Sequence, residues 1–172
     1  MRLFIAVNFD DAVKKRLLEI QAKLRSQCTR GNFTRPENLH LTMAFLGETP
    51  EAKVASILKI IEDAQVLPIE LSFTHTGCFT HSHKELWWIG ADEKCSALSH
   101  LKAIHSKLIK RLLDANFSVD NRSFNPHITL GREIKHPEKI ILNCDEIKVK
   151  VDNLSLMKSE HIGGVLTYTE LI

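Results

Sequence analysis

The sequence predicts an α+β fold of two pseudo-symmetric lobes around a central cleft, and two observations carry that prediction. The stretch His40-Leu41-Thr42-Met43-Ala44-Phe45-Leu46-Gly47 has a near-copy, His127-Ile128-Thr129-Leu130-Gly131-Arg132, 87 positions later (127 less 40) in a chain of 172 residues. The elements around each copy also follow one order: strand, helix, His/Thr strand, helix, strand. Both copies read as buried strands, being rich in apolar and β-branched residues and punctuated by glycine. Residues i and i+2 of a strand share a face. Each copy therefore points a histidine and a threonine hydroxyl one way, and Leu41 or Ile128 the other. A chain doubled on itself brings both pairs to one cleft.

In order, Leu3 to Phe9 is an apolar run that fits an interior strand. Asp10 or Asp11 offers an N-cap, and Val13, Leu17, Ile20 and Leu24 recur at helical spacing. Thr29 to Asn38, with Gly31, Arg35 and Pro36, reads as a polar connection into the first His/Thr strand. Thr49-Pro50 resembles an N-cap followed by proline at the first helical position, and Val54, Ile57, Leu58 and Ile61 supply that helix's stripe. Pro68 to Thr76 alternates as a strand.

The second half repeats the order. Leu86 to Ile89 is strand-like, Asp92 is placed to cap a long helix, and Leu98, Leu101, Ile104, Leu108 and Leu112 form its stripe. Asn116 to Asn125 is the polar connection before the second His/Thr strand. Pro137 to Leu142 reads as a short helix, Ile147 to Val151 alternates as a half-buried strand, and Val165 to Leu171 adds a last one. No flexible linker separates the halves, so residues 1–172 are expected to form one domain with approximate halves 1–83 and 84–172.

A hydrophobic content of 44% is enough for an ordinary core. A net charge of +2 is too small to imply a broad nucleic-acid-coating surface but leaves room for a local basic cleft. Cys28, Cys78, Cys95 and Cys144 form no C-x-x-C pair and read as reduced thiols of a cytoplasmic protein. The N-terminal apolar run is too short to span a bilayer and lacks a cleavage site, so neither a secretion signal nor a membrane segment is expected. A monomer is expected.

Two histidines facing one cleft can divide acid–base work near neutral pH: one gives a proton to a leaving oxygen, the other takes a proton from water. Two hydroxyls suit the non-bridging oxygens of a tetrahedral anion. Arg132, at i+5 from His127, adds a fixed positive charge. These groups meet the needs of in-line phosphodiester cleavage without a metal or other cofactor. A single H-x-T is weak, since histidine and threonine are common in sheets. Two copies at matching places are specific, because a core gains nothing from repeating a polar pair.

The sequence resembles the 2H phosphoesterase superfamily, and within it the RNA 2′,3′-cyclic phosphodiesterases, a group that includes the bacterial 2′-5′ RNA ligases. The matching residues are Arg2-Leu3-Phe4-Ile5-Ala6-Val7, Arg35 to Gly47, and Phe124-Asn125-Pro126 with the second motif through Arg132. Met43 stands where the family often has leucine, a volume-conserving change. The resemblance implies the 2H phosphoesterase fold, with His40 as proton donor and His127 as proton acceptor. It also implies Thr42, Thr129 and Arg132 as phosphate-binding residues. The implied reaction opens an RNA 2′,3′-cyclic phosphate to a 2′-phosphate, tRNA halves being among the candidate substrates. The same cyclic phosphate attacked by a ribose hydroxyl gives 2′-5′ ligation.

Three competing readings follow. One is a 2H enzyme for a small cyclic nucleotide or 2′-5′ oligoadenylate, and another a non-catalytic nucleotide- or RNA-binding module, against which two intact His/Thr pairs argue. The third is a zinc site on His75, His81 and His83, which lack clear ligand spacing and are better read as a solvated hairpin. Trp87 and Trp88 alternate faces, one for the core and one available to stack a base. Phe45 reads as core, because an odd offset of five from His40 reverses the face. Arg35 and Arg122 occupy corresponding connections, where they either attract phosphate or are solvated. His105 reads as packed near its helix stripe, His100 and His136 as surface, and His161 as part of a turn before Gly163-Gly164.

Overall fold

The computed structural model describes residues 1–64, 68–120 and 123–171. Among them, in chain order, run β1 (Arg2–Asn8), α1 (Asp11–Arg25), β2 (Arg30–Phe33), β3 (His40–Glu48), α2 (Val54–Ala64), β4 (Ile69–His81) and β5 (Lys84–Ala91). Then follow α3 (Ser96–Asp114), β6 (His127–Lys135), β7 (Ile147–Val151), β8 (Ser155–Ile162) and β9 (Val165–Glu170). The strands form one sheet in the order β7-β4-β5-β6-β3-β1-β8-β9, with β2 on the far part of β6, and every pairing is antiparallel. The fold is α+β, as the sequence predicts.

The helices cover one face of this sheet. Asp10 caps α1 by accepting from the Val13 N–H at 2.8 Å, a contact worth about 1 kcal/mol. Leu17, Ile20 and Leu24 of its stripe join Leu3, Ile5, Val7, Leu41 and Ile128 in the main core. Gln21 lies in the same stripe, buried, and its amide donates to the carbonyls of Thr34 (2.7 Å) and Leu130 (2.8 Å). That bond pins α1 to the second motif strand. The α3 stripe buries Leu98, Leu101, Leu108 and Leu112 as anticipated.

Several elements differ from the sequence reading. The connection Thr29–Asn38 contains β2, whose Phe33 pairs with Gly131 and packs against the core. β8 is not among the strands the sequence predicts. It forms a hairpin with β9 through Gly163 and Gly164, whose φ values of 58° and 80° suit the twist of a two-residue turn. Thr49 does not cap α2: its hydroxyl donates to the Gly47 carbonyl, and Pro50 leads into a 3₁₀ turn over Glu51–Lys53. Cys95, not Asp92, occupies the N-cap of α3, and the Asp92 carboxylate accepts from the Lys94 N–H in the preceding turn. Pro137 to Leu142 forms no helix. Gln27 takes the Ile141 N–H and C=O, and the Leu142 carbonyl accepts from Thr76, so these groups bond across the fold rather than along a helix.

The sheet does not divide where the sequence repeat does. β8 and β9, from the C-terminal end, pair beside β1, while β4, from the first half, pairs with β5 and β7. One side of the sheet is thus β3-β1-β8-β9 and the other β7-β4-β5-β6. They meet where Leu41 of β3 pairs with Ile128 of β6.

Candidate active site

That junction sets the geometry of both motifs. His40 and Thr42 flank Leu41, and His127 and Thr129 flank Ile128, on the face opposite the core. In an antiparallel pair this places His40 across from Thr129 and Thr42 across from His127, with the two histidines diagonal to each other. All four line a cleft of about 570 Å³ on that face, together with Arg132.

A bulge in each motif strand decides what else reaches the cleft. Along β1, Ile5 pairs with Ala44 and Ala6 with Thr42, so Met43 is the extra residue. Along β5, Trp87 pairs with Gly131 and Trp88 with Thr129, so Leu130 is extra. Both sit three residues after the motif histidine. A bulge shifts the alternation by one, so the residue five after each histidine rejoins its face. Arg132 enters the cleft in this way. So does Phe45, which corrects its reading as core: it is 42% exposed, with the Arg2 guanidinium 5.1 Å above its ring. Beyond Arg132 the strand is held by Glu133 at φ 53°, its carboxylate bound by Lys84 and Asn32.

The two histidines are mounted alike. His40 Nδ1–H donates to the Asn38 carbonyl and His127 Nδ1–H to the Asn125 carbonyl, both at 2.7 Å. A carbonyl only accepts, so each ring carries its proton on Nδ1 and turns Nε2 into the cleft as the working atom. His40 Nε2 meets the Thr42 hydroxyl at 2.9 Å. Each ring is wedged between aromatics. Phe4 and Tyr168 pack on His40 with centroids at 5.0 and 5.3 Å, and Phe79 packs edge-on to His127 at 5.3 Å with Trp88 at 6.2 Å.

Burial is the main reason both imidazoles sit below the ordinary histidine pKa, and the positive charge of Arg132 lowers them further. The cleft is basic despite the small net charge. Arg2, Arg35 and Arg132 line it, and no carboxylate is found among its described lining residues.

Other sequence candidates lie elsewhere. His75 packs edge-on to Trp88 at 5.7 Å, and His81 and His83 are exposed at the β4–β5 hairpin. Among the described residues no three His, Cys, Asp or Glu side chains group as metal ligands. Trp87 and Trp88 do take opposite faces. Trp87 packs on the core and donates to Glu85 at 2.8 Å, whereas Trp88 lies beside His127. His136 is not a surface residue: its Nε2 meets Glu85 at 3.0 Å in a half-buried pair. His105 stacks on Phe124 at 3.9 Å, and His161 lines the cleft from β8. Arg35 lines the cleft paired with Glu37 at 2.7 Å, and Arg122 lies outside the described residues. Sequence reasoning assigns no site role to Asn38, Phe4, Phe79 or Tyr168, although Phe4 and Asn38 lie within the stretches that carry the resemblance. A signal for Asn38 was present, since Asn-x-His-x-Thr occurs at both motifs.

Residues 9–162 match the 2′-5′ RNA ligase superfamily. The chain belongs to that family. Within this superfamily it is 34% identical over 140 residues to an Archaeoglobus fulgidus protein named RNA 2′,3′-cyclic phosphodiesterase, covering 80% of this chain and 76% of that one. A Thermotoga maritima protein of the same name is 32% identical over 168 residues, covering 92% and 87%. The crystal structure of Escherichia coli LigT complexed with 3′-AMP superposes with a TM-score of 0.85 at 24% identity, covering 99% of this chain and 95% of that one. A Thermus thermophilus structure does so with a TM-score of 0.84 at 25% identity, covering 100% and 96%. The chain therefore shares the fold of these structures.

Proposed function

We propose that this protein opens RNA 2′,3′-cyclic phosphate ends to 2′-phosphomonoesters. The carrying observation is the matched mounting of His40 and His127 across the Leu41–Ile128 junction, both Nε2 atoms facing one anion-attracting cleft. Water attacks phosphorus in line and gives its proton to His127 Nε2. The P–O3′ bond breaks, and His40, entering as the imidazolium that the negative charge of the phosphate favours, gives its Nε2 proton to the departing O3′. Thr42, Thr129 and Arg132 hold the non-bridging oxygens through the pentacoordinate state. The carry-over of these roles rests on the motif resemblance, and the geometry is compatible with each. One chain supplies every group, which supports a monomer. Its four cysteines are free thiols, which supports a cytoplasmic setting.

The test is product analysis on a short oligonucleotide ending in a 2′,3′-cyclic phosphate, with excess EDTA present. A 2′-phosphate product is expected. Tight binding of the end with no opening would instead indicate a binding module, and activity restored only by one added divalent ion would remove the metal-free mechanism.

A further inference from the structure

Arg2 and Phe4 stand on the same face of β1, one pleat or roughly 6–7 Å apart. Phe4 packs on His40, so the Arg2 guanidinium sits one step beyond the ring that backs the proton donor, held over Phe45 and beside Ser159 of β8. Among the described residues no carboxylate pairs with Arg2. Its neighbour on β3, Glu48, lies 3.6 Å from the N-terminal ammonium instead. Arg35, by contrast, is already engaged by Glu37. A guanidinium fixed by an aromatic ring, in a cleft with no carboxylate among its described lining residues, is built to receive an oxyanion.

The direction of the reaction says which oxyanion. The donor His40 touches O3′, so the ribose that carries O3′ lies against β3 and β1, while water enters from the His127 side. A ribose so placed can turn its 5′ oxygen along the face where Arg2 stands. We propose that Arg2 forms a second phosphate subsite, which takes the 5′ phosphate of the nucleotide whose cyclic phosphate is opened. This rests on the cyclic phosphodiesterase reading and adds to it a preference for ends that continue in the 5′ direction.

The experiment compares adenosine 2′,3′-cyclic phosphate carrying a 5′-hydroxyl with the same nucleotide carrying a 5′-phosphate. The wild type should favour the 5′-phosphate in kcat/KM. Arg2→Gln should lower that preference about tenfold, chiefly through KM, and Arg2→Lys should retain part of it. Thermal melting of both variants checks their folding. No preference in the wild type, or an Arg2→Gln variant that slows both substrates by one factor, would overturn the subsite. Should the wild type open neither substrate, the functional reading fails, and direct binding still decides the subsite. Adenosine 2′,5′-bisphosphate should then bind better than adenosine 2′-monophosphate, with the advantage lost in Arg2→Gln. An advantage that is absent, or unchanged by the substitution, overturns it.

Discussion

Leu41 and Ile128 are antiparallel partners, both fully buried, at the junction of the two motif strands. With the core holding this pair from one side, the four polar motif side chains are fixed on the other. The site is thus positioned by apolar packing, and its chemistry can be removed one residue at a time with little disturbance to the fold.

His40→Ala and His127→Ala should each slow cyclic phosphate opening by roughly 10²–10⁴-fold, the worth of a positioned acid or base. A substrate whose 3′ oxygen is replaced by a better leaving group should rescue His40→Ala far more than His127→Ala. Equal rescue would reject the donor and acceptor assignment. Turnover against pH should be bell-shaped, its limbs belonging to the coupled pair.

Arg132→Gln should raise the pKa of both motif histidines, because the positive charge of Arg132 helps hold them down. The rise should be incomplete, since burial is the larger cause and remains. Titration of the imidazole resonances by NMR reads this directly, and unmoved values would place Arg132 away from the rings in solution. Affinity for inorganic phosphate should fall about tenfold in the same variant.

Gly77 lies beneath Trp88, where an added Cβ would come within 2.3 Å of the indole ring. Gly77→Ala should therefore displace Trp88, loosen the packing around His127, and slow turnover on the order of ten- to a hundredfold. A shifted tryptophan emission should accompany the loss. Unchanged emission and full activity would show that the indole does not position His127.

His40, His105 and His127 all have folded pKa values lowered by burial, so the folded chain binds fewer protons than the unfolded one in that range. Stability should be full above the ordinary histidine value of about 6.5, decline as pH falls toward the lowered folded values, and level off below them. His105→Phe keeps an aromatic ring on Phe124 and should make the decline shallower. Melting curves between neutral and mildly acidic pH check this, and a midpoint that rises on acidification would contradict it.

The α+β class, the motif strands, the three helices and the two His/Thr pairs, His40/Thr42 and His127/Thr129, were legible in the sequence. Periodicity and an internal repeat are local signals that survive without knowledge of partners. It did not show β8, or the return of β8 and β9 to the edge of β1, because strand order depends on which edges meet in space. Nor did it show that Met43 and Leu130 bulge. A bulge exists only relative to the strand opposite, and it alone turned Phe45 from expected core into a wall of the cleft and carried Arg132 to the same face as His127. Tertiary structure also supplied the counting of charge. A chain of net charge +2 gathers three arginines around a cleft with no carboxylate among its described lining residues, and only the fold decides which charges stand together.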